Sequence, residues 1–172
     1  EDIESKKHLL NKFIEKGFPN KKLENWKFLD LNQIIKNNIG EINFDNDYNI
    51  KNKIDSSTLI NEFEHNKIIS INGRIEKIDF SKEDKNNVEI YDDVKINNKL
   101  DEKNSLIDLN NAFTNKFYKI KVKKNYHLKK PLIIYHFSND KMKSKNINLR
   151  LDFQLEENSS LRLIDYFYDI SD

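Results

Sequence analysis

Ile147-Asn148-Leu149-Arg150-Leu151-Asp152-Phe153-Gln154-Leu155 carries an apolar side chain at every second position. That period sends successive side chains to opposite faces of an extended chain, so the stretch predicts a strand with one dry and one wet face. The same alternation runs through Tyr118, Ile120 and Val122 against Lys119, Lys121 and Lys123. Pro131-Leu132-Ile133-Ile134-Tyr135 is a further strand-sized run, and Ser160 to Tyr168 follows a tight Glu157-Asn158-Ser159 turn. From Phe117 onward the chain reads as a succession of strands in stacked or sandwiched layers.

Upstream, Ile68-Ile69-Ser70-Ile71, Asn72-Gly73 and Arg74-Ile75-Glu76-Lys77-Ile78 form a strand–turn–strand pattern, and Asn-Gly is the strongest two-residue hairpin signal. Val88 to Tyr91 predicts another strand. Ser105 and Asp108 have capping-box spacing and open a short helix that buries Leu106, Leu109, Ala112 and Phe113. The first half is helical in pattern. Leu9, Leu10, Phe13 and Ile14 recur at helical spacing, Gly17 sits where a C-terminal cap falls, and Pro19 forbids continuation. A second helix starts at Asp30, with Gln33 as capping partner, turns Leu31, Ile34 and Ile35 inward, and ends by Gly40. Glu41 to Lys53 reads as a loop, and a third helix is expected from about Ser56 to Glu64.

Composition removes several classes of function. The 172 residues hold 30 basic and 29 acidic side chains, a net charge of +1, which argues against a bulk polycation for nucleic acid or anionic membrane. Hydrophobic content is 37%, below the globular average, but 11% aromatics argue against wholesale disorder. The excess of Lys, Asn and Ile follows from AT-rich codons without selection for function. No cysteine is present, which excludes disulfides, thiolate nucleophiles and Cys-ligated metal centres in this chain. No apolar run approaches the roughly 18 residues of a membrane span. The chain opens on Glu1 and reaches Asp172 inside a strand-like pattern, so it reads as part of a longer protein.

The rare residues gather in Gly17-Phe18-Pro19-Asn20-Lys21-Lys22-Leu23-Glu24-Asn25-Trp26-Lys27-Phe28-Leu29-Asp30-Leu31. Here the chain resembles the SufD family of the SUF iron–sulfur assembly system, whose pattern is Gly-Leu-Pro, a short basic step, then Glu-x-Trp-Lys-Tyr-Thr-x-Leu. Phe18, Phe28 and Leu29 replace the family's Leu, Tyr and Thr, and Asp30 can supply the cap that Thr would. The similarity continues through Ile71-Asn72-Gly73-Arg74, Leu109-Asn110-Asn111-Ala112-Phe113, Lys119 to Lys123 and Pro131 to His136, in family order. It covers nearly the whole chain but only the N-terminal part of the family's length.

The resemblance implies an α+β fold: an N-terminal helical domain followed by the first coils of a right-handed parallel β-helix. The expected divisions are 1–66 for the helical domain, 67–115 for a hairpin and helix connector, and 116–172 for the opening of the β-helix. It also implies a non-catalytic scaffold, cytoplasmic or in an organelle stroma, working with a SufB-like paralogue and a SufC-like ABC-type ATPase. Those partners would be held mainly through regions beyond residue 172. The iron–sulfur cluster belongs to the full complex, and no cofactor is expected in this chain. Competing readings are a fragment of a carbohydrate-active β-helix enzyme and a basic nucleic-acid-binding module.

The residues themselves mark no catalytic, cofactor-binding or metal-ligating site. His8, His65, His127 and His136 are scattered without ligand spacing, and no nucleophile elbow or Gly-rich phosphate loop occurs. Lys119, Lys121, Lys123, Lys124, Lys129 and Lys130, with Tyr118 and Tyr126, make the best case for a phosphate-binding patch, although a solvated strand face predicts the same residues. Paired carboxylates such as Asp92-Asp93 and Glu156-Glu157 fall at turns, where solvated charge is expected. Trp26 reads as a buried anchor packing its loop onto the first helix.

Overall fold

The computed structural model describes residues 2–40, 42, 54–92, 104–114 and 116–170. Its elements are α1 (Asp2–Lys16), α2 (Leu31–Asn38), β1 (Asn66–Ile71), β2 (Arg74–Asp79), α3 (Lys82–Lys85), β3 (Val88–Asp92), α4 (Ser105–Phe113), β4 (Phe117–Val122), β5 (Leu132–Ser138), β6 (Arg150–Leu155) and β7 (Leu163–Asp169). The fold is mixed α+β. The chain divides into two units: Glu1–Phe44, Asp92–Tyr118 and Lys143–Arg150 in one, Asp45–Tyr91, Lys119–Met142 and Leu151–Asp172 in the other. These units cut across the contiguous segments 1–66, 67–115 and 116–172, because α4 packs on α1 while the β1–β2 hairpin shares a sheet with β5. The expected loop from Glu41 to Lys53 lies outside the described residues, apart from Ile42.

In the first unit α1 buries Leu9 against Ala112 and Phe113 of α4, and Phe13, four residues on along the same stripe, is also buried. Ile14, expected inward, is 65% exposed: one step round from Phe13, it leaves that narrow stripe. Gly17 ends the helix as its spacing predicts, with φ +67° and its N–H donating to the Phe13 carbonyl at 2.7 Å. Asp30 caps α2 by accepting from Gln33 N–H at 3.1 Å. No residue of α2 is buried, however, so Leu31, Ile34 and Ile35 do not reach a core.

Two local expectations are overturned in this unit. Ser105 does not cap α4. Asn104 does, taking Leu106 N–H at 3.1 Å, while the Ser105 hydroxyl donates to the Gly17 carbonyl at 2.7 Å and Asp108 pairs with Lys16 at 2.8 Å. Residues spaced like a capping box tie two helices together instead. Trp26 sits in a single helical turn, Glu24–Trp26, and is only half-buried. The ring that meets α1 is Phe18, edge-on to Phe13 at 4.9 Å, beside buried Pro19.

The second unit holds two sheets, ordered β2-β1-β5-β7 and β3-β4-β6, the latter strands starting or ending at the unit boundary. Asn72 and Gly73, at φ 49° and 82°, close the β1–β2 hairpin as Asn-Gly predicts. β1, β5 and β7 run parallel, with Ile68 beside Ile134 and Leu132 beside Leu163. One apolar cluster fills the space between the sheets: Ile68, Leu132 and Ile134 meet Val88, Ile120 and Val122, with Leu151 and Phe153 packed against them. A second cluster, Ile69, Ile71, Ile133, Tyr135 and Phe137, lies on the other face of the first sheet. β5 is thus dry on both faces, because a second layer of chain covers it.

That layer is the segment expected as a third helix. Only Ser56–Thr58 forms a helical turn, capped by Asp55, and Ile54, Leu59 and Ile60 are drawn onto the outer cluster. Packing overrides local propensity there. β6 starts at Arg150 rather than at Ile147, since the Leu149 carbonyl accepts from Asn110 Nδ2 at 3.3 Å.

Asp84 joins β1, α3 and the turn leading to β5. Fully buried, it accepts from Asn66 Nδ2 (2.8 Å), Ser81 Oγ (3.1 Å), Tyr126 O–H (2.8 Å), Lys129 N–H (2.9 Å) and Lys130 N–H (3.2 Å). Burial by itself raises a carboxyl's pKa; the bonds from Asn66, the two backbone amides and Tyr126 outweigh it and hold Asp84 below its ordinary range. A depressed carboxylate stabilises the fold above the unfolded value of about 3.9 and loses that contribution as pH falls through the folded one. Asp84→Asn is expected to cost on the order of 3 kcal/mol at neutral pH in denaturant unfolding and to flatten the acid limb below about pH 4. In the same assay Phe137→Ala should cost about 3–5 kcal/mol and half-buried Trp26→Ala clearly less; equal costs would restore the buried-anchor role.

Candidate functional site

The surface built with most regularity is where the turn after β4 lies beside the turn after β6. Lys123-Lys124-Asn125 in one faces Glu156-Glu157-Asn158 in the other. Asn125 and Asn158 both take positive φ, 59° and 54°, which asparagine tolerates better than most side chains. Asn158 Nδ2 donates to Asn125 Oδ1 at 3.1 Å, and Asn125 N–H donates to the Glu157 carbonyl at 3.0 Å. The contact continues through Ser160 N–H to Tyr126 O (3.2 Å), Leu128 N–H to Ser160 O (2.9 Å) and Leu132 N–H to Arg162 O (2.8 Å).

This stacking decides the chemistry of the lysine row. Lys121 lies 2.9 Å from Glu156 and 3.5 Å from Glu89, Lys123 lies 4.0 Å from Glu89, and Lys124 pairs with Glu157. Lys130 pairs with Glu64 at 2.7 Å. The Lys121 hydrogen bond is the leading cause holding Glu156 below the usual glutamate range, and the same bond pushes Lys121 up. Tyr91 O–H does the same for Glu89. Tyr126 turns its hydroxyl to Asp84 rather than to solvent. Four of the six lysines that look in sequence like a free cationic strip, Lys121, Lys123, Lys124 and Lys130, are paired with glutamates of neighbouring segments.

The four histidines are not brought together. His8 is exposed on α1, His127 contacts Ser160 Oγ at 2.8 Å, His136 lies 3.0 Å from Asp165, and His65 lies 2.8 Å from the Tyr135 hydroxyl. Among the described residues no group of three or more His, Asp or Glu could hold a metal ion. No protein-family model matches the chain, and no curated protein matches it.

Two further features stand apart from the lysine row. β7 forms the outer edge of its sheet with Leu163, Ile164, Phe167 and Tyr168 exposed, and Phe167 stacks on His136 at 4.5 Å. A cleft of about 480 Å³ is lined by Phe63, Glu64, His65, Lys67, Asp79 and Lys130, among others. The contacts of His65, His127 and His136 and the burial of Asp84 are not marked in the sequence. Strand register, which the structure supplies, places position 134 beside 165 and position 136 beside 167, and so brings His136 to Asp165 and Phe167. Among the described residues no helix is long and apolar enough to cross a membrane.

The paired lysines generate a prediction. Titration with a fluorescent single-stranded oligonucleotide should give no saturable, salt-sensitive binding, and reversal of Lys119, Lys121 and Lys123 to Glu should change nothing. Saturable binding that falls steeply with salt would reinstate the phosphate-binding patch.

Proposed function

We propose that the chain is a non-catalytic scaffold of the SufD kind, comprising the helical N-terminal part and the first coils of a right-handed parallel β-helix. The observation that supports this most is the repeat of strand pairs. β4 then β5, and β6 then β7, pass from one sheet to the other, with β6 beside β4 and β7 beside β5. β5 and β7 are in parallel register at an offset of 31 residues (132 to 163), and the turns between strands stack with the same Asn in the same place. The stacked turns pair at an offset of 33 (125 to 158), and a chain that repeats its path at a nearly constant offset builds a solenoid, in which each coil contacts only its neighbours.

In this reading the antiparallel strand β2 closes the first edge, covering backbone groups that would otherwise recruit another chain. The β7 edge, with its exposed apolar row, is where further coils continue. The contribution is architectural: a rigid surface on which a SufB-like paralogue and a SufC-like ATPase assemble, the iron–sulfur cluster being cargo of the full complex. The ordered likeness of Gly17–Leu31, Ile71–Arg74 and Leu109–Phe113 to the SufD pattern supports the same assignment. Affinity capture of the full-length protein from its own cells should recover an ABC-type ATPase and a SufB-like paralogue. Recovery of neither overturns the scaffold reading.

A further inference from the structure

The segment from Ile54 to His65 lies as a strap over the outer face of the first sheet, with Ile54, Leu59 and Ile60 packed against the cluster of Ile69, Ile71, Ile133, Tyr135 and Phe137. Its polar attachments are the Glu64–Lys130 pair and one shared hydroxyl. Tyr135, fully buried, accepts Ile60 N–H at 3.2 Å and meets His65 Nε2 at 2.8 Å. The other ring nitrogen, Nδ1, lies 2.9 Å from the Phe63 carbonyl, which can only accept. Nδ1 must therefore carry the proton, so neutral His65 presents Nε2 as an acceptor for the Tyr135 hydroxyl. Burial pushes the Tyr135 phenol up from its ordinary value, so it keeps the proton it donates.

We propose that the Tyr135–His65 contact is a proton-gated latch that holds the strap in neutral solution and releases it on acidification. A proton added at Nε2 turns the acceptor into a donor. The Tyr135 oxygen then faces two donors, Ile60 N–H and Nε2–H, and its own hydroxyl proton has lost its acceptor inside an apolar cluster. Leaving a buried donor unpaired is costly, and lifting the strap relieves it.

The other charged groups around His65 do not remove this conflict. Glu62 and Glu64 on the strap, Lys67 on β1, Asp79 on β2 and Lys130 ahead of β5 line the same cleft. Glu64 is paired with Lys130 at 2.7 Å and Asp79 with Lys77 at 3.3 Å. His65 is the group in this cleft whose two ring nitrogens both hold partners, the Phe63 carbonyl and the Tyr135 hydroxyl, so a proton added to its ring acts on the Tyr135 contact. Phe63 adds no acceptor, packing edge-on to His65 at 5.6 Å, and Tyr166 packs edge-on to Tyr135 at 5.4 Å. Release bares an aliphatic and aromatic face that is covered at neutral pH. This latch stands apart from the scaffold reading.

Hydrogen–deuterium exchange of the full chain tests the latch, comparing about pH 7.5 with about pH 5.5 across the range of histidine protonation, after correction for intrinsic rates. Protection of 54–65 is expected to fall about five- to tenfold on acidification, the loss of one buried hydrogen bond, while β5 stays protected. His65→Gln, which keeps an acceptor but takes up no proton, should hold the strap at both values. Tyr135→Phe, which keeps the ring and loses the hydroxyl, should leave it open at both. Equal wild-type protection at the two values overturns the latch, as does a His65→Gln strap that opens in parallel with wild type.

Discussion

A buried carboxylate at the end of a four-residue helix holds three parts of the second unit in register. Asp84 draws five donors from Asn66, Ser81, Tyr126 and the backbone of Lys129 and Lys130, and these belong to the start of β1, the cap of α3 and the turn feeding β5. Asn66 repeats the pattern from the other side: its side chain donates to Asp84 and to the Lys130 carbonyl and accepts from Ser81 N–H. Parallel pairing of β1 with β5 requires chain segments more than sixty positions apart to arrive at one register. Hydrophobic packing alone tolerates slippage along a strand, whereas a carboxylate with all its partners placed does not.

Once that register is set, the charge pattern follows as a matter of geometry. The turn that carries lysines comes to lie beside the turn that carries glutamates, and ion pairs form between neighbouring strands. Each such surface pair contributes little by itself. Their collective effect is to remove like-charge repulsion from adjacent turns and to leave the stacked Asn pair as the backbone-shaping element. A rim on which lysines and glutamates pair suits the proposed architectural role better than recognition of a polyanion.

The two faces of the first sheet serve different ends. The inner face meets the second sheet through aliphatic side chains, while the outer face is rich in aromatic rings and is covered by an irregular strap rather than by a sheet or helix. Irregular segments have few ladder hydrogen bonds of their own and depend on the contacts beneath them. A single shared hydroxyl therefore has more influence on the strap than it would on a strand.

Residues whose partners are close along the chain can be read directly from the order of amino acids. Gly17 as a left-handed cap, Asp30 as a helix cap, Asn72-Gly73 as a hairpin turn, and the strands at Val88, Phe117 and Leu132 all rest on local sterics, local hydrogen bonding and period. Which local feature faces which distant one is not legible in that way. Ile14 leaves the core, Ser105 bonds to the end of α1, Trp26 yields its anchoring place to Phe18, and an expected helix becomes a strap under the pull of Ile133 and Tyr135. Nothing in Lys82-Glu83-Asp84-Lys85 distinguishes the carboxylate that will be buried, so Asp84 is hidden within a run of charge. Caps, turns and strand period are decided within a turn or two of chain, so the sequence alone determines most of the elements, the strap over Ile133 and Tyr135 being the exception. Burial, ion pairing and the Tyr135–His65 contact are decided by register between segments far apart in the chain, which only the tertiary structure supplies.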